Sequence, residues 1–306
     1  MKADTLIIDG RHALWRTSDA FKMLSAEIGK NIVGTGGIYG FLCLASRVHQ
    51  KYGGKTIVAW EGKNNFRKVL YEHYKEKSSL DEEQIAIIED MREQERRLKA
   101  ILRAMGVEQY YGIRCEADDV IGRLSVENSR NEEDLVIIYS GDSDLRQLVK
   151  DNVYVASPGY KGAPDVIYDQ QRVYEKHGVI PGNIADLKAL SGDSSDNIPG
   201  LKGIGDKRAV QLINAYGDVE GIIDGASGKH KAEWPLNEKF KDVVVENTEQ
   251  LRLYKELTTI RIDMPMEIIK PNKNKDLLLK HFSVYRFASL MAKGEMHELM
   301  RISGGN

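Results

Sequence analysis

Cysteine is scarce in this chain. Cys43 and Cys115 are the only two in 306 residues and share no CxxC spacing, so neither a zinc ribbon nor a disulfide framework is expected. Two core thiols in a reducing compartment are the simpler reading. Long apolar runs are missing as well. No stretch approaches the ~20 residues of a membrane span, and the opening MKADTLIIDG meets an acid too early to serve as a signal peptide. The seven histidines show no metal-type spacing such as HxxxH, although His12 stands close to Asp9, and no G-x-S-x-G nucleophile elbow supports a serine hydrolase. Nor is there an excess of positive charge. Lys and Arg number 44 against 46 Asp and Glu, for a net charge of −2, whereas nucleic-acid proteins are usually basic.

What is present is ordinary for a globular protein: 42% hydrophobic and 29% charged residues, in a chain long enough for two domains or one with a large extension. Short β-rich runs alternate with helical spacing, which predicts an α/β domain with a largely parallel sheet. The expected strands are Thr5–Ile8, Thr56–Trp60, Glu108–Tyr111, Leu135–Tyr139 and Val153–Ser157, with helices over Ile38–Val48 and Val120–Val126. From about residue 180 the pattern turns helical, with no strand before Thr259–Ile262. Residues 78–105 read as a charged helical insertion. Ile85, Ile88, Met91, Leu98, Ile101, Leu102 and Met105 line one stripe, while Arg92–Arg97 (REQERR) is polar all round and by itself reads as a solvated helix.

The acids are placed more tellingly than their number suggests. Asp9 follows LII, Glu61 follows TIVAW and Asp142 follows LVIIYSG, and in open parallel sheets the working site lies beyond the carboxyl ends of the strands. Glu116, Asp118 and Asp119 open a helix in EADDVIG, and Asp144 lies two residues past Asp142. Each pair alone has a bland explanation as a helix cap. Asp193 and Asp196 add a further pair just ahead of the Gly200–Gly205 hairpin. Nine carboxylates at one sheet edge repel unless cations compensate them. Setting these nine aside leaves 37 acids against the 44 Lys and Arg, so the remaining surface can attract phosphate. Hard oxygen ligands without His or Cys favour Mg²⁺ or Mn²⁺, and two such ions ~4 Å apart can clamp a phosphodiester. The hairpin, running into Lys207 and Arg208, offers backbone N–H groups and a positive helix end to a phosphate.

These residues carry a resemblance. IIDG at 7–10, TGGIYGFL at 35–42, FRKVLYEHYK at 66–75, EADDVIG at 116–122, SGDSDLRQLV at 140–149, GDSSDNIPGLKGIGDKRA at 192–209 and ENTEQLRLYKELTTIRIDMP at 246–265 resemble the 5′ nuclease family, which comprises flap endonucleases and the 5′→3′ exonuclease domain of bacterial DNA polymerase I, with stand-alone bacterial and phage forms. The resemblance implies a PIN-like α/β nuclease core over 1–178, with a helical arch at about 75–105. A helical region over 179–306 would follow, with a helix–three-turn–helix at about 185–215. It implies metal ligation by Asp9, Glu61, Glu116, Asp118, Asp119, Asp142, Asp144, Asp193 and Asp196. The family position of Glu61 is normally Asp, and Glu reaches one methylene further. Lys75 matches a lysine thought to contact the scissile phosphate, and Arg16 and Trp15 match positions near the entering strand. Trp15 either stacks on a base or sits half-buried in the core. Ser78 stands where an arginine often follows Lys75, leaving Arg92, Arg96 and Arg97 as alternative donors.

At the hairpin, Gly203, Gly205, Lys207 and Arg208 would hold duplex backbone, and a K⁺ ion would be held by main-chain carbonyls at Leu201 and Ile204. The implied activity is a structure-specific 5′ nuclease in DNA replication and repair, leaving 5′-phosphate and 3′-hydroxyl ends. The expected partner is DNA with a 5′ single-strand/duplex junction, or an RNA/DNA hybrid, bound by a monomer in the cytoplasm of a bacterium or phage-infected host. A non-catalytic junction-binding module and a PIN-type ribonuclease are the alternatives.

Overall fold

The apolar runs expected as strands form the centre of one sheet. The structure, a computed structural model, describes residues 1–29, 31–76, 80–160, 162–228 and 236–303; Ser78 lies outside them. The strands are β1 (Thr5–Asp9), β2 (Ser25–Ile28), β3 (Asn31–Gly34), β4 (Lys55–Lys63), β5 (Glu108–Ile113), β6 (Val136–Tyr139), β7 (Val153–Ser157), β8 (Val166–Tyr168) and β9 (Met266–Ile269). Seven of them run in the order β8-β7-β6-β1-β4-β5-β9. The five central strands are parallel, and β8 and β9 close the edges antiparallel. The sheet is buried on both faces, as parallel sheets are. Along β1, Leu6 and Ile8 face one apolar core and Ile7 the other, the period-two alternation of a strand.

On the Leu6 face lie α1 (Gly10–Ser18), α2 (Gly36–Tyr52), the long α4 (Glu82–Met105) and the C-terminal α12 (Lys275–Val284) and α13 (Lys293–Arg301). The short α3 (Phe66–Leu70) follows β4. The Ile7 face carries α5 (Ala117–Glu127), α6 (Gln170–His177), α7 (Ile184–Ser191), α8 (Asp206–Tyr216), α9 (Val219–Ala226), α10 (Glu238–Glu246) and α11 (Thr248–Thr258).

Three departures from the sequence expectations have physical reasons. Thr259–Ile262 is no strand: Ile260 and Arg261 spend their N–H groups on the Gln147 and Asp119 side chains. The strand comes later, at Met266–Ile269, pairing with β5. The C-terminal stretch also does not stay within the helical region expected over 179–306, because β9 joins the core sheet and Leu278, Phe282, Leu290 and Leu299 pack into the core with α2 and α4. Finally, REQERR is not simply solvated. Gln94 and Glu95 are buried, and the Gln94 side-chain oxygen accepts from Gly37 N (2.9 Å) and Ile38 N (3.3 Å) at the start of α2.

Close approaches account for the glycines of TGGIYGFL. A Cβ on Gly37 would lie 2.9 Å from Gln94, and one on Gly36 would lie 2.0 Å from the Phe21 carbonyl. The Thr35 side chain makes no cap hydrogen bond, so α4 caps α2 in its place, and the root of α4 is fixed to the core. Gln94→Leu leaves two buried N–H groups unpaired and is expected to destabilise the fold by about 1–3 kcal/mol, read as a lower urea midpoint at unchanged m-value.

Candidate metal centre and nucleic-acid grip

Parallel pairing brings the acids together as expected for strand ends. Asp9 closes β1 between β6 and β4 and is nearly buried. Its Oδ1 accepts from His12 N (3.0 Å), and its Oδ2 accepts from the buried Ser140 hydroxyl (2.9 Å). Ser140 Oγ in turn accepts from Asp142 N (3.1 Å), and Asp142 Oδ1 accepts from Asp144 N (2.9 Å). One chain of hydrogen bonds thus links three acids. The His12 ring packs against Gly141: its Nδ1 faces Gly141 N, and a Cβ on Gly141 would lie 2.6 Å from the ring. Gly10 of IIDG has a similar reason, since a Cβ there would meet the Trp60 ring at 2.5 Å.

Glu116 caps α5. The Tyr74 hydroxyl lies 2.9 Å from Glu116 Oε2 and 2.8 Å from Asp196 Oδ2, and with one hydrogen it can donate to only one at a time. Lys75 Nζ donates to Glu116 Oε1 (2.6 Å) and lies 3.6 Å from Asp196. Its backbone is held in the left-handed region (φ 50°), and its N–H donates to the Asp196 carbonyl (3.0 Å). Asn197 completes the stitch by donating to the His73 carbonyl (2.9 Å).

Asp144, Asp193 and Asp196 can bring one carboxylate oxygen each within 4.8 Å of one another, which suits a single cation with oxygen ligands. Lys188, from α7, already places an ammonium there. It donates to Asp144 Oδ1 and to Asp193 Oδ2, the latter at 2.6 Å. The other Asp193 oxygen accepts from Ser195 N and Oγ. Asp118, Asp142, Asp144, Asp193, Asp196, Lys75 and Lys188 line a cavity of about 370 Å³, together with His177 and Asp206.

The electrostatics follow from this crowding. Burial raises the Asp118 pKa well above the usual range, and Asp142, Asp9 and Glu116 add to it. Burial also raises Asp9. For Asp144, burial prevails over the opposing Lys188 and takes the pKa to about 6. Burial likewise works against ionised Asp193, but there Lys188 and Ser195 outweigh it and the pKa falls. Burial also opposes the charge on Lys75, which Glu116 and Asp196 outweigh, so its pKa is raised.

Two expected ligands are engaged elsewhere. Asp119 is fully buried. It takes Arg67 Nη1 at 2.7 Å, Arg67 Nη2 at 2.8 Å, Glu116 N at 3.0 Å and Arg261 N at 2.8 Å. With four donors on two oxygens, it braces α5 and α3 and has little left for a cation. Glu61 is ion-paired with Arg11.

Among the basic and aromatic candidates, Trp15 lines a groove of about 870 Å³ between α4 and the core, with Lys68, Lys75, Leu80, Ile87 and Arg92. Arg16 donates to the Gly159 carbonyl and does not line that groove. At the hairpin, Gly203 has φ 84° and both Gly203 and Gly205 are exposed. Gly205 starts α8 with no side-chain cap and nothing within 4 Å of a built Cβ, so a phosphate can approach its free N–H groups. Lys207 is exposed, and Arg208 stacks over Phe240 (4.0 Å). The Leu201 and Ile204 side chains are buried, and Ile204 N donates to the Leu201 carbonyl (3.0 Å). Sequence reasoning missed Arg67, Tyr74 and Lys188. Each lies within or one turn before a quoted motif, but only the fold shows what it faces.

An acid-lined cleft thus lies at the strand ends of an α/β core, beside a helix–hairpin–helix surface. Residues 4–178 match the family described as 5′-3′ exonuclease, N-terminal resolvase-like domain, and residues 179–278 match 5′-3′ exonuclease, C-terminal SAM fold. The chain belongs to this 5′-3′ exonuclease family. It is 32% identical to a 5′-3′ exonuclease of Buchnera aphidicola, over 90% of this chain and 92% of that one. It is 34% identical to DNA polymerase I of Bacillus subtilis over 86% of this chain, spanning only 28% of the polymerase. In fold it is similar to the T5 5′-exonuclease solved with zinc bound (TM-score 0.68, 22% identity, 97% of both chains). It is also similar to human GEN1 in complex with Holliday junction DNA (TM-score 0.66, 15% identity, 97% of this chain and 72% of that one). Among the described residues no helix is long and apolar enough to cross a membrane.

Carboxyls with raised pKa values favour the metal-free fold most when protonated. For Asp144 that contribution is lost as pH rises from about 4, its unfolded value, through about 6. A divalent ion must displace the same protons, so its binding weakens on acidification. The rise in Tm caused by Mg²⁺ or Mn²⁺ is therefore expected to be larger at about pH 8 than at about pH 5.5, measured by thermal unfolding with and without the ion.

Proposed function

We propose that this chain is a 5′→3′ exonuclease or flap endonuclease that hydrolyses phosphodiesters near the junction of a 5′ single strand and a duplex, leaving 5′-phosphate and 3′-hydroxyl ends. The observation that carries this reading is the position of Lys75, which borders both the groove under α4 and the acid-lined cavity. A strand lying in the groove reaches the carboxylates at Lys75. The hairpin would hold the adjoining duplex by its backbone, without reading sequence. Two or more Mg²⁺ or Mn²⁺ ions, held by Asp9, Glu116, Asp118, Asp142, Asp144, Asp193 and Asp196, would supply hydroxide at neutral pH and stabilise the leaving oxygen. The ammonium of Lys75 is placed to offset charge on the phosphate. A K⁺ ion at the carbonyls of Leu201 and Ile204 would complete the duplex grip. Flap or primer removal in replication and repair is the process such a reaction serves.

A pure binding module is the weaker reading, because acids whose ionisation burial opposes give a binder nothing in return. Incubation of a 5′-labelled DNA flap with Mg²⁺ separates the two. Asp118→Asn and Asp142→Asn are each expected to lower cleavage by roughly a thousandfold, with duplex binding in Ca²⁺ retained. Full activity of either variant would overturn the site.

Lys207 tests the hairpin. Lys207→Ala should weaken binding to duplexes of any sequence and reduce the slope of log affinity against log salt by about one, measured by fluorescence anisotropy across a salt series.

A further inference from the structure

The site proposed above leaves one ion-pair network without a role. Arg11, the second residue of α1, pairs through Nη1 with Glu61 near the end of β4, and its Nε donates to Glu95 of α4 (3.2 Å). Glu95 is buried and is held from the other side by Lys99 Nζ (2.6 Å). A guanidinium has five N–H donors in a fixed fork, so it can bridge two carboxylates that a lysine would hold less rigidly.

The place of this bridge on α4 matters. Residues 82–87 of α4 are exposed, whereas Met91, Gln94, Glu95 and Leu98 are buried. The bridge therefore sits where the helix passes from its rooted half to the half that overhangs the groove. Arg11, Glu61 and Glu95 all line that groove. The length of Glu61 fits the same picture: the extra methylene of Glu over Asp carries its carboxylate out to Arg11 on the neighbouring element.

We infer that Arg11, Glu61 and Glu95 form a latch that fixes α4 over the groove, with Arg11 as the positioning residue and Glu61 serving the latch instead of ligating a cation. This rests on the reading of the acidic cavity as a divalent-ion site, and it assigns Glu61 away from that site. The latch ties the end of β4 to the root of the overhanging helix, so it sets the groove width at the point where a strand would enter.

The test uses the full chain without nucleic acid, with Mn²⁺ binding read by calorimetry and α4 docking read by hydrogen exchange. Glu61→Gln should change Mn²⁺ affinity by less than about twofold, whereas Glu116→Gln weakens it by at least about tenfold. Arg11→Ala and Glu61→Gln should each speed exchange of amides in the rooted half of α4 by roughly three- to tenfold, and Arg11→Lys should restore much of the protection. Loss of Mn²⁺ affinity in Glu61→Gln to the extent seen in Glu116→Gln would overturn the latch, as would unchanged exchange in Arg11→Ala. An unchanged Mn²⁺ affinity in Glu116→Gln would instead overturn the ion-site reading, and exchange alone would then decide the latch.

Discussion

Carboxylates from four separate stretches of the chain converge at one edge of the sheet, and their mutual repulsion is the constraint around which the molecule is arranged. The protein answers that charge with its own cations. Lys188 bridges Asp144 and Asp193, Lys75 meets Glu116 and Asp196, and Arg67 saturates Asp119. Buried like charges are tolerated only with such partners or with protons. Burial, with neighbouring acids adding to it, still raises the pKa values of Asp9, Asp118 and Asp144. Cations at the cavity, as the proposed function requires, would relieve what repulsion remains.

The rest of the architecture positions these partners. The short α3 exists to deliver Arg67, whose guanidinium also takes the carbonyls of Leu257 and Thr259 and so joins the sheet core to the end of α11. The loop carrying Tyr74 and Lys75 is pinned to Asp196 and Asn197 by backbone and side-chain bonds. The last acidic pair is thus fixed to the foot of the overhanging helix. Breaking the loop geometry would therefore disturb the cavity and the groove together.

Much of the site was legible in the sequence. Strand-ending acids, the EADD helix start and the glycine hairpin each have local signals, and the central strands read correctly because apolar runs in a two-sided sheet are nearly continuous. What was not legible depended on contacts between distant segments. Asp119 and Asp118 look alike in sequence, yet one is clamped by Arg67, 52 positions away, and the other lines the cavity. Gln94 and Glu95 sit in a charge run and turn out to be a helix cap and a bridge. Thr259–Ile262 has strand composition, but the N–H groups of Ile260 and Arg261 go to side-chain acceptors.

By itself, then, the sequence determined which residue types stand at strand ends, helix starts and turns, because those choices answer to local backbone geometry and to period-two or period-3.6 burial. The tertiary structure alone decided which of the acids line the cavity and which are clamped away from it. That division follows from Coulomb interactions and hydrogen bonds, which depend on distance in space and not on separation along the chain. Asp119, Glu61 and Lys188 owe their roles to neighbours that only folding supplies.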